Sequence, residues 1–251
     1  MRMGALLGPI LEPTKSDALA EQARTFAGEG FTSLWSAQAI GRGFMMTDPL
    51  IALTVAASVT EDVEVGTAVL QIPLYEPMDL ASRVFSLQQI AGGRFIFGVG
   101  AGSTAADYAV HGRPFERRFK AFETSLAALR GIFSTGGQGG ANLSPWPNVA
   151  GGPPVFYGTW GKGVARAATE FDGWVASGMH RTPAQVAEAA KGYDAAGGGR
   201  SIVSTIQVSG QTDLGELKEA LSVYADAGFD DAVVLLLPGA PAPAAVRKLI
   251  D

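Results

Sequence analysis

Residues 153–178 read PPVFYGTWGKGVARAATEFDGWVASG, and the fold follows from how this stretch is parsed. Val155-Phe156-Tyr157 is a short apolar run of the length a buried strand needs. It stops at Gly158-Thr159-Trp160-Gly161-Lys162-Gly163, a glycine-rich turn with one hydroxyl and one ammonium. Val164, Ala167, Ala168 and Phe171 then fall at helical spacing, and residues 173–177 form a second apolar run. Strand, glycine loop, helix and strand make one βαβ unit. A glycine loop opening a helix presents backbone N–H groups and the positive end of the helix dipole, which suits a phosphate. The loop matches neither GxxxxGK[ST] nor GxGxxG, so glycines needed only for a tight turn explain it equally well.

The same alternation runs along the chain. Residues 3–7 read as a strand ended by Gly8-Pro9, and residues 16–30 as a helix with Leu19, Ala23, Phe26 and Ala27 on one face. Residues 31–36 are a second strand, and Asp48-Pro49 pairs a capping side chain with proline at the first helical position. Residues 63–71 are a third strand, 77–90 a helix, and 94–99 a fourth strand running into Gly100-Ala101-Gly102-Ser103. Phe115, Phe119, Phe122, Leu126, Leu129 and Phe133 alternate by three and four, the pattern of a buried helical stripe. After residues 153–178, Thr182-Pro183-Ala184-Gln185 has the form of a capping box opening a helix. A strand follows at 201–208, a helix from Asp213, a strand at 231–237 and a closing helix at 243–250. Eight strands, each followed by a helix, in 251 residues is the count of a (β/α)8 TIM barrel, one domain over residues 1–251. A doubly wound open sheet rarely needs eight such regular units. Residues 134–152, STGGQGGANLSPWPNVAGG, form a loop by composition. Its length is expected to mark a lid or covering segment, a disordered connection being the other reading.

Composition removes several chemistries. There is no cysteine, so disulfides, thiolate catalysis and cysteine metal sites are excluded. The two histidines, His111 and His180, are too few for a histidine-rich metal site. A net charge of −5 argues against general nucleic-acid binding. No apolar run reaches the ~18 residues of a membrane span. The apolar start of the chain is short and ends at Glu12, so it reads as a strand rather than a signal peptide, and a cytoplasmic location is expected.

In a (β/α)8 barrel the chemistry sits at the C-terminal ends of the strands. The ionisable groups at those ends are Lys162, His180 and Arg181. Without paired carboxylates, glycosidase chemistry and a divalent-ion site are both disfavoured. A mouth rich in glycine, hydroxyls and apolar groups fits an organic cofactor that carries the reactivity itself. His180 is a candidate for orienting or protonating a substrate, or a surface histidine; His111 reads as structural. Lys162 reads as a phosphate counter-charge, as a Schiff-base amine, or as a solvated lysine. Arg113, Arg117, Arg118 and Lys120 form a basic run that is either a solvated helix face or a dock for an anionic cofactor tail.

With these residues in place the chain resembles the luciferase-like monooxygenases, the (β/α)8 superfamily of flavin- or deazaflavin-dependent oxidoreductases. The resemblance rests on Gly66-Thr67-Ala68-Val69, on SLQQIAGGRFIFGVGAGS (residues 86–103), on HGRPFERRFKAFETSLAALR (residues 111–130), and on residues 153–178. It implies FMN or coenzyme F420 in the barrel mouth, the two not distinguished. Its phosphate would be held by Gly158, Thr159, Gly161, Lys162 and Gly163, helped by Gly100, Gly102 and Ser103. Thr67 and Ala68 would lie where the family often carries a bulge or cis peptide behind the ring. Ser36 and Gln38 would face ring and substrate, where many relatives have an acidic residue and a histidine; the catalytic acid is therefore not transferable. The resemblance also implies a small organic substrate, a separate flavin or F420 reductase as partner, and a homodimer. Two other functions stay open: a flavin-binding relative without turnover, and a phosphate-binding aldolase or isomerase using Lys162.

Overall fold

The computed structural model describes residues 1–8 and 15–250. Eight parallel strands carry the barrel: β1 (Arg2–Leu6), β2 (Ser33–Ser36), β3 (Glu64–Thr67), β4 (Phe95–Gly100), β5 (Val155–Gly158), β6 (Gly173–Ser177), β7 (Arg200–Val208) and β8 (Asp231–Leu236). Neighbours run β3-β2-β1-β8-β7-β6-β5-β4, and β4 pairs back onto β3 through Val65↔Phe95 and Gly66↔Ile96, closing the ring. The helices are α1 (Ala18–Gly28), α2 (Pro49–Val59), α3 (Pro77–Ala91), α4 (Ala105–Val110), α5 (Arg118–Thr135), α6 (Gly163–Glu170), α7 (Pro183–Ala195), α8 (Leu214–Asp226) and α9 (Pro243–Arg247). The expected barrel is therefore present. Pro9, read as the stop after the first strand, lies outside the described residues.

The caps read from sequence set helix starts as they should. Asp48 accepts from the N–H groups of Leu50 and Ile51, and Thr182 and Gln185 form the reciprocal capping box. Strand alternation sorts side chains into two cores. Outward residues such as Val65, Phe97, Trp174 and Val234 pack under the helices. Inward residues Leu6, Trp35, Ile96, Phe156, Val175, Ile202, Val233 and Leu235 fill the barrel. Trp35 fits because its neighbours are small: a Cβ on Gly66 would lie 2.4 Å from its ring. The floor of the barrel, at the strand N-termini, is a charge layer around the buried Asp231. Arg200 on β7 makes two hydrogen bonds (2.9 and 2.6 Å) to Glu64 on the opposite strand β3, and one of 2.8 Å to Asp231. Arg2 reaches the same two carboxylates at 3.3 and 3.0 Å.

Three departures from the sequence reading matter. Residues 134–152 follow the C-terminus of α5, which runs antiparallel to the strands, and lead into the start of β5. They therefore lie at the floor end of the barrel. Gly151 N–H donates to Phe133 O (3.0 Å), and Asn148 reaches Gln89 at the end of α3. Within the segment Gly137–Gln138 pairs with Ala141–Asn142 as a small hairpin. Second, the aromatic stripe is not buried throughout: residues 115–117 form a 3-10 turn, and Phe119 is 59% exposed, with the Arg118 guanidinium 4.3 Å above it. Third, helix α4 went unforeseen, its six residues being too few to show a period.

Candidate cofactor and substrate site at the barrel mouth

The last inward positions of β4 and β5, at the mouth, are glycines, which leaves room there for a neighbour's side chain. Ile96, Gly98 and Gly100 alternate along β4, and Phe156 and Gly158 along β5. One side chain from β3 occupies part of that space. Pairing runs from Gly66↔Ile96 to Leu70↔Val99, four steps against three, so the chain after β3 bulges by one residue. The Ala68–Val69 peptide within the bulge is cis, as the family resemblance leads one to expect at this point. Ala68 N–H donates to Ser36 O (2.9 Å), and Gln38 N–H donates to Val69 O (3.3 Å). Val69 then lies over the glycines: a Cβ on Gly100 would stand 2.8 Å from its Cγ2, and one on Gly158 2.6 Å from its Cγ1. Thr67 anchors the bulge from below, its hydroxyl donating to Gly98 O at 2.6 Å. Val69, Gly100 and Gly158 thus form one apolar shelf behind Ala68, with Thr67 buried beneath it.

The turn after β5 has anion-binding geometry. Gly161 is left-handed (φ +61) and Lys162 right-handed (φ −62), the alternation that turns successive N–H groups toward one point. Gly163 and Val164 N–H turn back onto Trp160 O and Gly161 O. Among the described residues, the N–H groups of Trp160, Gly161 and Lys162 meet no acceptor. Gly163 is required for space, since a Cβ there would lie 2.0 Å from Thr159 Oγ1. Lys162 is exposed at the head of α6. Beside the turn a cavity of about 460 Å³ opens between α6 and α7, lined by Val164, Gln185 and Glu188. Arg181, from the loop after β6, stacks 4.1 Å over Trp160 and joins the two loops.

The other candidates separate. Ser36 is buried at 1% exposure beneath the shelf. Gln38 spends both ends of its amide inside the fold, donating to Tyr75 Oη (3.0 Å) and accepting from Gln71 N–H (2.9 Å). Gly102 needs its positive φ of +80 and lies over Gln71, while Ser103 and His180 are exposed on the rim. The basic run is partly spoken for. Arg113 bonds Pro73 O and Glu76, and Arg118 bonds Phe115 O and covers Phe115 and Phe119.

One charged group was overlooked. Asp107, on α4, is fully buried at the mouth. It accepts from Arg42 through both carboxylate oxygens, from Gln71 Nε2 (2.6 Å) and from Ile40 N–H (3.3 Å). Burial works to raise its pKa. The bonds from Arg42, Gln71 and Ile40, with the charge of Arg42, outweigh burial and hold it below the usual carboxylate range. Burial, with the nearby Asp48, pushes the Tyr75 phenol well above its ordinary value, so it stays protonated. Asp107 and Arg42 both lie beyond the strand ends, one on α4 and the other in the loop before α2. The available signal was the carboxylate in AADY and the arginine between glycines in GRG.

A family model described as luciferase-like monooxygenase matches residues 7–212. The chain belongs to that family. It is 30% identical over 190 residues to a 5,10-methylenetetrahydromethanopterin reductase of Methanolobus tindarius, covering 71% of this chain and 54% of the reductase. The chain spans about half or less of the length of the curated relatives it matches. Among solved structures, an F420-dependent secondary alcohol dehydrogenase in complex with an F420-acetone adduct superposes with a TM-score of 0.77, at 16% identity, covering 98% of this chain and 96% of that one. The FMN complex of the oxygenating constituent of 3,6-diketocamphane monooxygenase from Pseudomonas putida superposes at 0.68, with 19% identity, covering 92% and 80%. At these identities the likeness establishes the fold. No helix among the described residues is long and apolar enough to cross a membrane.

Proposed function

We propose that the chain is a flavin- or deazaflavin-dependent oxidoreductase acting on a small organic substrate at the barrel mouth. The observation that carries this reading is the turn at Trp160–Lys162, with three N–H groups that meet no acceptor among the described residues, and near it an apolar shelf of Val69, Gly100 and Gly158. The shelf fits the flat face of an isoalloxazine-type ring, and the turn fits its phosphate. Lys162 supplies a counter-charge from the rim. Bound there, the reduced cofactor supplies the reducing equivalents. The protein holds the ring, keeps water from it with Val69 and Trp160, and leaves the substrate face open. Gln38, Gln71 and Tyr75 fix the loops around that face rather than exchange protons. His180 is the rim group placed to meet a substrate, and the reductant comes from a separate reductase. A homodimer is part of the same reading.

The test is titration with FMN and with coenzyme F420, followed by fluorescence. Saturable binding of one is expected, and binding of neither overturns the reading. Gly161→Val is expected to weaken that binding by about tenfold or more without unfolding the barrel, because a branched residue resists φ +61 and turns the N–H groups away. Sodium borohydride is expected to trap no adduct on Lys162; an adduct would favour an aldolase or isomerase.

A further inference from the structure

We propose that residues 37–48, the loop between β2 and α2, form a latched apolar wall that takes an uncharged, apolar substrate at the mouth. This rests on the mouth being the active face. The loop reads AQAIGRGFMMTD, and its tip exposes Ile40 (37%), Phe44 (55%) and Met45 (86%). Val110 of α4 is 53% exposed beside them. Single exposed apolar residues are ordinary, but four on two neighbouring segments of a barrel mouth offer a binding surface. The segments meet at Gly41, which lies against α4: a Cβ there would stand 2.5 Å from Val110 Cγ2 and 3.1 Å from Ala106 O.

The loop's outer part, residues 40–47, is held at one point. Ile40 N–H and the Arg42 guanidinium both bond Asp107, and residues 43–47 make no hydrogen bond among the described residues. Gly41 (φ +74) and Gly43 (φ +82) flank Arg42 with conformations that other residues resist. Asp107 is thus a positioning residue: it fixes the wall without facing the ligand. The same bond sets the ligand's class. Arg42 is the loop's one cation between residues 37 and 47, and Asp107 neutralises it. A carboxylate or phosphate on the substrate would find no counter-charge on this wall, whereas an alkyl or aryl ketone, aldehyde or alcohol would bury apolar surface against it.

The experiment uses Nile red, a neutral apolar fluorophore, on the whole protein. Wild type is expected to bind it with a blue-shifted emission. Phe44→Ser with Met45→Ser is expected to lose about tenfold or more in affinity while FMN or F420 affinity stays unchanged. 2-Undecanone is expected to displace the dye and undecanoate not. Unchanged dye affinity in the double variant overturns the wall, and equal displacement by undecanoate overturns the uncharged class. A wild-type dimer that the variant converts to monomer with dye binding intact would assign the surface to a second copy instead. Loss of cofactor binding by wild type would strike the proposed function and leave the dye result standing. For the latch, trypsin is expected to cut after Arg42 several-fold faster in Asp107→Asn than in wild type, with Asp107→Glu restoring resistance. Equal cutting in all three refutes it.

Discussion

The two ends of the barrel each carry an arginine–carboxylate cluster around one buried aspartate, and they differ in what the cluster joins. At the floor, Arg2, Glu64, Arg200 and Asp231 all project from strands, and Arg200 spans the ring from β7 to β3. At the mouth, Arg42 projects from a loop, Asp107 from the six-residue helix α4, and Gln71 from the two-residue strand extension Leu70–Gln71. The floor cluster braces elements that the sheet already fixes. The mouth cluster fixes the tip of the loop after β2, where residues 43–47 make no hydrogen bond among the described residues. The same pairing of groups therefore serves stability at one end and the shape of a binding face at the other. Breaking each should separate the two effects.

The largest effect is expected at the floor. Burial opposes the charge on Arg200, but Glu64 and Asp231 outweigh it and keep the guanidinium protonated. Arg200→Met leaves Asp231, fully buried, and Glu64 sharing Arg2 alone. Removing one partner of such a cluster costs about 3–5 kcal/mol. In a domain of this size that lowers the thermal midpoint on the order of 10 °C. Calorimetry checks the midpoint, and FMN or F420 affinity well below it should be unaltered. A variant that keeps its midpoint and loses the cofactor would erase the distinction between the two ends.

Asp107→Asn should do the opposite. Arg42 is partly exposed and can turn to water, so the stability loss is expected near 1–2 kcal/mol. The larger change should be in loop mobility and Nile red binding. The pH dependence has a defined sign. Asp107's folded pKa is depressed, so its contribution is present above the unfolded value near pH 4 and is lost as pH falls through the folded pKa. Wild-type stability should then fall more steeply than that of Asp107→Asn below about pH 4, as urea midpoints taken from pH 6 to pH 3 would show. Parallel curves would remove Asp107 from the account.

What could be read in advance follows the same division. Strand and helix periods, capping residues and glycine stops are local, and they located all eight barrel strands from runs such as FIFGVG and VFYG. The glycine turn at residues 158–163 was legible because its geometry is set by its own residues. The placement of residues 134–152 was missed through topology rather than composition: a long loop suggests a cover, but a helix running antiparallel to the strands delivers it to the floor. Asp107 was missed because its meaning depends on Arg42 and Gln71, which stand 65 and 36 residues away. No local pattern marks such a triplet. Gln38 shows the same dependence, since its position after β2 points to the ring and substrate, while its amide partners, Tyr75 and Gln71, come from elsewhere in the chain.

The smallest effect is expected at Lys162, and it tests whether the turn or the side chain holds the anion. Lys162 is exposed, and in water a single ion pair is worth about 0.2–1 kcal/mol. Lys162→Ala should therefore weaken FMN or F420 binding by only about two- to fivefold. The loss should shrink as salt rises toward 0.5 M, where the Debye length falls well below 8 Å. The backbone N–H groups of Trp160 and Gly161 remain in this variant, whereas Gly161→Val alters them with the ammonium intact. If the turn is the anchor, Gly161→Val must cost more than Lys162→Ala, and its loss must persist at high salt. The reversed ranking would make the phosphate contact a surface charge effect and leave the conformation of the turn unexplained.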